Sequence, residues 1–64
     1  MKVGTKIMSF GKSKHAGQKG TVVRDYGNYL MITAEDQSYA GASKNSEFDL
    51  KVMQVDAREC REIK

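Results

Sequence analysis

The sequence predicts an all-β fold, five short strands bent into one small barrel. Three observations carry that reading. Apolar residues recur with a period of two in several short runs, as in Phe48-Asp49-Leu50-Lys51-Val52. Glycine-bearing turn signals separate the runs, at Gly11, Gly17, Gly20, Gly27 and Gly41. Helical spacing appears only towards the end, in Ala57, Cys60 and Ile63. With 64 residues the chain is expected to form a single domain, residues 1–64, with a core that buries only about 60% of the unfolded surface.

Taken in order, Val3 to Phe10 reads as the first strand. Val3, Thr5 and Ile7 share one face and Met8 and Phe10 the other, so both sides are expected to be partly covered. Gly11 to Lys19 has no period and little apolar content, which marks a loop. Gly20 to Asp25 is the second strand, with β-branched Thr21, Val22 and Val23 suited to a pleated surface. Gly27-Asn28, flanked by Tyr26 and Tyr29, is a two-residue hairpin turn. Tyr29 to Thr33 is the third strand, placed centrally because both of its faces are apolar. Glu35 to Glu47 reads as a long polar loop and Phe48 to Val52 as the fourth strand, with Phe48 in the core. A strand or short 3₁₀ turn is expected around Met53 to Val55, followed by a short helical or extended tail. In that tail Asp56 and Glu59 have capping-box character.

Composition excludes several classes of function. A lone cysteine, Cys60, rules out an internal disulfide, and with a single histidine, His15, leaves too few soft ligands for a structural zinc site. No cofactor or metal is expected. No apolar run approaches a membrane span and no signal-peptide core stands at the start, so the chain is expected in a reducing cytoplasm. Gly11-Lys12-Ser13 has the tail of a phosphate-binding P-loop, but position 6, where the pattern needs glycine, is Lys6. His15 has no acid near it in sequence and is expected to face solvent or a phosphate. Cys60 is expected to be a half-buried structural thiol. No catalytic constellation appears, and the chain reads as a binding protein rather than an enzyme.

Charge is the strongest functional signal. Met1 to Arg24 carries six cations (Lys2, Lys6, Lys12, Lys14, Lys19, Arg24) and no acid, whereas the remainder carries five cations against eight acids. A basic segment of this kind suits a polyanion, and nucleic-acid backbone is the expected partner. The candidate binding residues are Lys12, Lys14, His15, Lys19 and Arg24 for phosphate and Tyr26 for stacking on a base. Phe10, beside the basic loop, reads chiefly as packing. The alternative is a protein-interaction adaptor or regulatory subunit, using Glu35, Asp36, Glu47 and Asp49 against a basic partner. Either is expected to act from a monomer.

Gly17-Gln18-Lys19-Gly20-Thr21-Val22-Val23, read with Gly4-Thr5-Lys6-Ile7 and Gly11-Lys12 before it, resembles a KOW motif. The resemblance covers roughly residues 3–25 and implies an SH3-like barrel. It also implies that the loop after the first strand, here Gly11 to Lys19, meets RNA, DNA or a protein partner, with Gly20 at the characteristic glycine position. The loop is slightly longer here than the family's usual pattern.

Overall fold

The computed structural model describes residues 1–63. Six strands and one 3₁₀ turn follow one another: β1 (Lys6–Ser9), β2 (Lys19–Asp25), β3 (Tyr29–Ala34), β4 (Ser43–Asn45), β5 (Leu50–Asp56), the turn Ala57–Glu59, and β6 (Cys60–Glu62). The fold is all-β, as the alternation predicts. Every pairing is antiparallel, in the order β4-β5-β3-β2-β1-β6. Strands β4 and β6 form the two edges and do not pair with each other, so the expected five-stranded closed barrel becomes a six-stranded open sheet. Both edges are only three residues long, which limits the unpaired backbone offered to other chains.

The core lies on one face. Ile7, Val22, Leu30, Ile32 and Val55 are fully buried, joined by Ala34, Ala42, Met53 and Cys60. Register explains the grouping, because cross-strand partners share a face. Val22 faces Ile32, which faces Met53, and Leu30 faces Val55. Burying each large aliphatic side chain is worth about 1.5–3 kcal/mol. Gly20 sits in the next row, between Ile7 and Ala34. A Cβ there would lie 2.2 Å from the carbonyl oxygen of Thr33 and 3.1 Å from Cδ1 of Ile32. Only glycine lets the strands approach this closely.

Two local devices shape β2. A bulge at Val23 shifts the register, since Val22 opposes Ile32 while Arg24 opposes Met31. Without the extra residue Arg24 would follow Val22 onto the buried face, and with it Arg24 is exposed on the outer one. At the end of the strand Gly27 takes φ +90°, the left-handed value that the first position of a tight hairpin turn needs. The Tyr26 amide donates to the Tyr29 carbonyl at 3.0 Å, and the Gly27 amide donates to Asp25 Oδ1 at 2.8 Å. The hairpin is therefore the one the sequence predicts.

Several boundaries differ from expectation. The first strand is Lys6–Ser9 rather than Val3–Phe10, and Val3 and Phe10 are exposed. Phe10 thus lies outside the core. The fourth predicted strand begins at Leu50, not Phe48, and runs on to Asp56. Phe48 falls in the β4–β5 turn, half-buried beneath the Arg24 guanidinium, whose carbon lies 5.6 Å from the ring centroid. β4 forms inside the stretch read as a polar loop. At the C-terminal end Asp56 does cap a turn, its Oδ1 accepting from the Arg58 amide at 2.8 Å. The turn lasts only three residues before β6 pairs with β1. Among the described residues no helix is long and apolar enough to cross a membrane.

Candidate nucleic-acid interface

The loop from Phe10 to Gln18 carries Lys12, Lys14 and His15. Its ends are tied together, Ser9 N–H donating to the Gln18 carbonyl at 2.9 Å and Gly17 N–H to the Ser9 carbonyl at 2.8 Å. Within it Ala16 N–H donates to the Ser13 carbonyl at 3.0 Å, and His15 N–H donates to Ser13 Oγ at 3.2 Å. This compact arrangement holds Lys12 and Lys14 in solvent while it turns His15 inward. His15 is only 5% exposed, which corrects the expectation of a solvent-facing or phosphate-contacting ring. Its Nδ1 lies 3.0 Å from the Tyr39 hydroxyl, and the two rings meet edge to face at 5.7 Å. Burial, with the nearby Lys14 cation second, lowers the His15 pKa below its ordinary value.

Lys19 begins β2 at the mouth of this loop and is exposed. It lines a shallow groove with Gly17, Gln18, Glu35 and Asp36, so its charge is set beside two acids. Arg24 is not a free cation, because its guanidinium pairs with Glu47 and covers Phe48. Tyr26 is 49% exposed, but its ring is stacked on Tyr29 at 4.8 Å between centroids with 23° between planes. It stands at the other end of β2 from Lys19, about 20 Å away at ~3.3 Å per residue. The structure therefore brings Lys12, Lys14, His15 and Lys19 to one end of the sheet and leaves Arg24 and Tyr26 apart from them.

Register adds two residues that sequence reading left out. Met8 opposes Lys19 on one side and Arg61 on the other, so all three share the outer face. Lys6, two residues before Met8, points the same way and opposes Thr21, which opposes Thr33. Lys6, Lys19 and Arg61 are exposed around the half-buried Met8. Adjacent strands lie about 4.8 Å apart, which puts Arg61 and Lys19 roughly 10 Å from each other across β1. Among the described residues none of Lys6, Lys12, Lys14, Lys19 or Arg61 forms an ion pair. These cations come from three strands and a loop, and only their periodicity within each strand hints at a common face.

Elsewhere the titratable groups serve the backbone. Asp25, Asp36 and Asp56 are held below the usual carboxylate range, chiefly by hydrogen bonds from the N-terminal amine, Ser38 and Arg58 respectively. Burial pushes the Cys60 thiol up, away from the thiolate that would make it reactive. No group of three or more His, Cys, Asp or Glu among the described residues is placed to hold a metal ion. Comparison with protein-family models, curated proteins and solved structures finds no match to this chain.

Proposed function

We propose that the chain is a small nucleic-acid-binding module that grips phosphate backbone through the outer face of β1, β2 and β6 and the adjoining Phe10–Gln18 loop. The observation that carries this reading is the gathering of Lys6, Lys19 and Arg61 around Met8, with no ion pair among the described residues on these three or on Lys12 and Lys14 of the loop that joins β1 to β2. Three such cations on one face, with two more in the adjoining loop, raise the positive potential where a polyanion releases its counterions on docking. The aromatics Tyr26 and Tyr29 stand at the far end of β2 and the exposed Phe10 is the one aromatic of the loop, so in this reading the contacts are chiefly to phosphate. Binding of that kind positions the protein with little sequence preference.

The same reading takes the domain as SH3-like and KOW-like. In its favour stand the Lys19-Gly20-Thr21-Val22 start of β2, the close approach at Gly20, and the return of β6 onto β1 after the 3₁₀ turn. We place the protein in the cytoplasm as a monomer, in transcription, translation or nucleoid organisation. Titration of random-sequence duplex DNA and of single-stranded RNA at low and moderate salt tests the function. Affinity is expected to fall steeply with salt on both, and Arg61→Ala or Lys19→Ala should each lower the salt slope by about one. No binding to either polymer at low salt overturns the proposal. The adaptor reading, with Glu35, Asp36, Glu47 and Asp49 on a basic protein, then takes its place.

A further inference from the structure

His15 is a buried titratable group of the basic loop that the proposed phosphate-binding face does not use. His15 sits in the middle of the basic loop, next in sequence to Lys14, yet its ring is turned away from solvent onto Tyr39. The phenol makes two polar contacts, 3.0 Å to His15 Nδ1 and 3.5 Å to the Lys14 carbonyl. The longer is the phenol O–H donating to the carbonyl, so in the shorter Nδ1–H is assigned as donating to the phenol oxygen, and the neutral ring keeps its lone pair on Nε2. Tyr39 is itself seated tightly, since a Cβ on Gly41 would come within 2.5 Å of its ring carbon Cζ and its hydroxyl. The groove beside the pair is lined by Lys14, His15, Met31, Gly41, Ser43, Val52, Met53 and Gln54. From β3, β4 and β5 that lining offers no carboxylate, and among the described residues the titratable groups against the ring are Lys14 and Tyr39.

Such a pocket accepts the neutral ring and rejects the charged one. An imidazolium there would keep its Nδ1–H bond to the phenol, but it would be held nearly out of water, gain no counter-ion from the groove, and lie beside another cation. Outside the pocket the same ring would stand in the loop with Lys12 and Lys14.

We propose that His15 is a masked cation of the nucleic-acid surface, latched neutral against Tyr39 when the protein is free and released as a charged third member of the Lys12–Lys14 loop when a polyanion binds. The inference rests on the phosphate-binding reading given above. Its logic is linkage. A phosphate chain favours the released, protonated loop and the pocket favours the neutral ring, so proton uptake and nucleic-acid binding strengthen each other by the same factor. The proton comes from solvent to Nε2, and release breaks the contacts of the Tyr39 hydroxyl with His15 and with the Lys14 carbonyl.

Two measurements test it on the intact chain. Duplex DNA of random sequence is titrated at about pH 8 and about pH 5.5, on either side of the ordinary histidine range and above the carboxylates. Affinity should rise severalfold at the lower pH and the salt slope should steepen by about one, the mark of one more neutralised phosphate. His15→Gln should abolish both changes. Tyr39→Phe, which keeps the ring but loses the hydroxyl, should move the midpoint upward towards the ordinary histidine value. Separately, nuclear magnetic resonance of the free protein should show the Tyr39 ring signals shifting together with the His15 titration. Binding with the same affinity and slope at both pH values overturns the coupling. Titration of His15 with the Tyr39 signals unmoved overturns the latch. If DNA binds at neither pH, the phosphate-binding reading and the coupling both fail, while the resonance titration still decides the latch.

Discussion

Strand β2 is entered and left through two unlike connections, and the contrast between them bears on the proposed function. At its start the Phe10–Gln18 loop is long, basic and held by scattered backbone bonds, with its histidine folded in beneath it. At its end the Gly27-Asn28 turn is as short as a hairpin permits, and its aromatics are stacked on one another. The tight turn is further secured by the Asp25 carboxylate, which accepts from Gly27 and from the N-terminal amine, and by the Asn28 carbonyl, which accepts from Ala57 at 3.1 Å. One end thus spends its polar groups on its own backbone, and the other keeps cations that form no ion pair among the described residues. Free charge at a loop over a rigid sheet is where a partner is met. The aromatic end, where the sequence offers Tyr26 as a stacking candidate, has its two rings stacked on each other.

The largest expected effect comes from the residue that joins the two ends to one sheet. Gly20→Val places a branched side chain where even a Cβ meets the Thr33 carbonyl, so β2 must separate from β3 or β1. A loss of roughly 1–3 kcal/mol is expected, read as a fall in melting temperature with the far-ultraviolet spectrum still β-dominated. An unchanged melting temperature would show that the strands do not approach as closely as described. Backbone conformation is not the reason for this glycine, because its φ lies outside the left-handed range taken by Gly27.

How much of this was legible follows from where each signal sits. β2, β3 and their hairpin could be read directly, since Val22, Leu30 and Ile32 alternate inward and Gly27 marks the turn between them. β4 could not, because Ser43, Lys44 and Asn45 form an edge strand with no apolar residue to set a period. The last strand was masked by an authentic cap. Asp56 does receive the turn, but the chain then extends, and Cys60 is buried from a strand rather than from a helix face. Charge along the chain identified the basic loop but not Lys6 and Arg61 as neighbours, since only the β6–β1–β2 register joins them. The fate of His15 depended on Tyr39, a contact with no local trace in either stretch of sequence.

A smaller effect separates the two ends by pH. His15 has its pKa lowered in the folded chain, so the unfolded chain binds more protons once the pH falls below about 6.5. Stability should therefore decline as the pH drops through the window below that value and level off beneath the folded pKa. The depressed aspartates act in a separate, lower window, with stability present above their ordinary pKa near 3.8 and lost below it. Urea titrations of wild type and His15→Gln across the upper window check the sign. Amide hydrogen exchange should show the loss of protection confined to the Phe10–Gln18 loop and its Tyr39 partner, with the Tyr26–Tyr29 turn unaffected. Equal pH dependence in wild type and His15→Gln would mean that the loop end has no titrating latch.

The smallest expected effect is the sharpest test of the comparison. Tyr26 has an exposed ring, and exposed aromatics near cations are good stacking platforms for bases, worth about 1–3 kcal/mol per base on single strands. Here, however, the ring is already stacked on Tyr29 and the nearest cation in sequence, Arg24, is engaged by Glu47. The cations of the proposed phosphate-binding face lie towards the opposite end of β2. Tyr26→Ala is therefore expected to change affinity for single-stranded RNA by less than about 0.5 kcal/mol and to leave the salt slope alone, whereas Lys19→Ala lowers the slope by about one. Both variants are titrated against the same RNA in the same salt series. A loss of about 1–3 kcal/mol for Tyr26→Ala with an unaltered slope would mean that the stacked pair opens to admit a base. The tight turn would then be a second contact region, and the division of labour between the two ends of β2 would have to be abandoned.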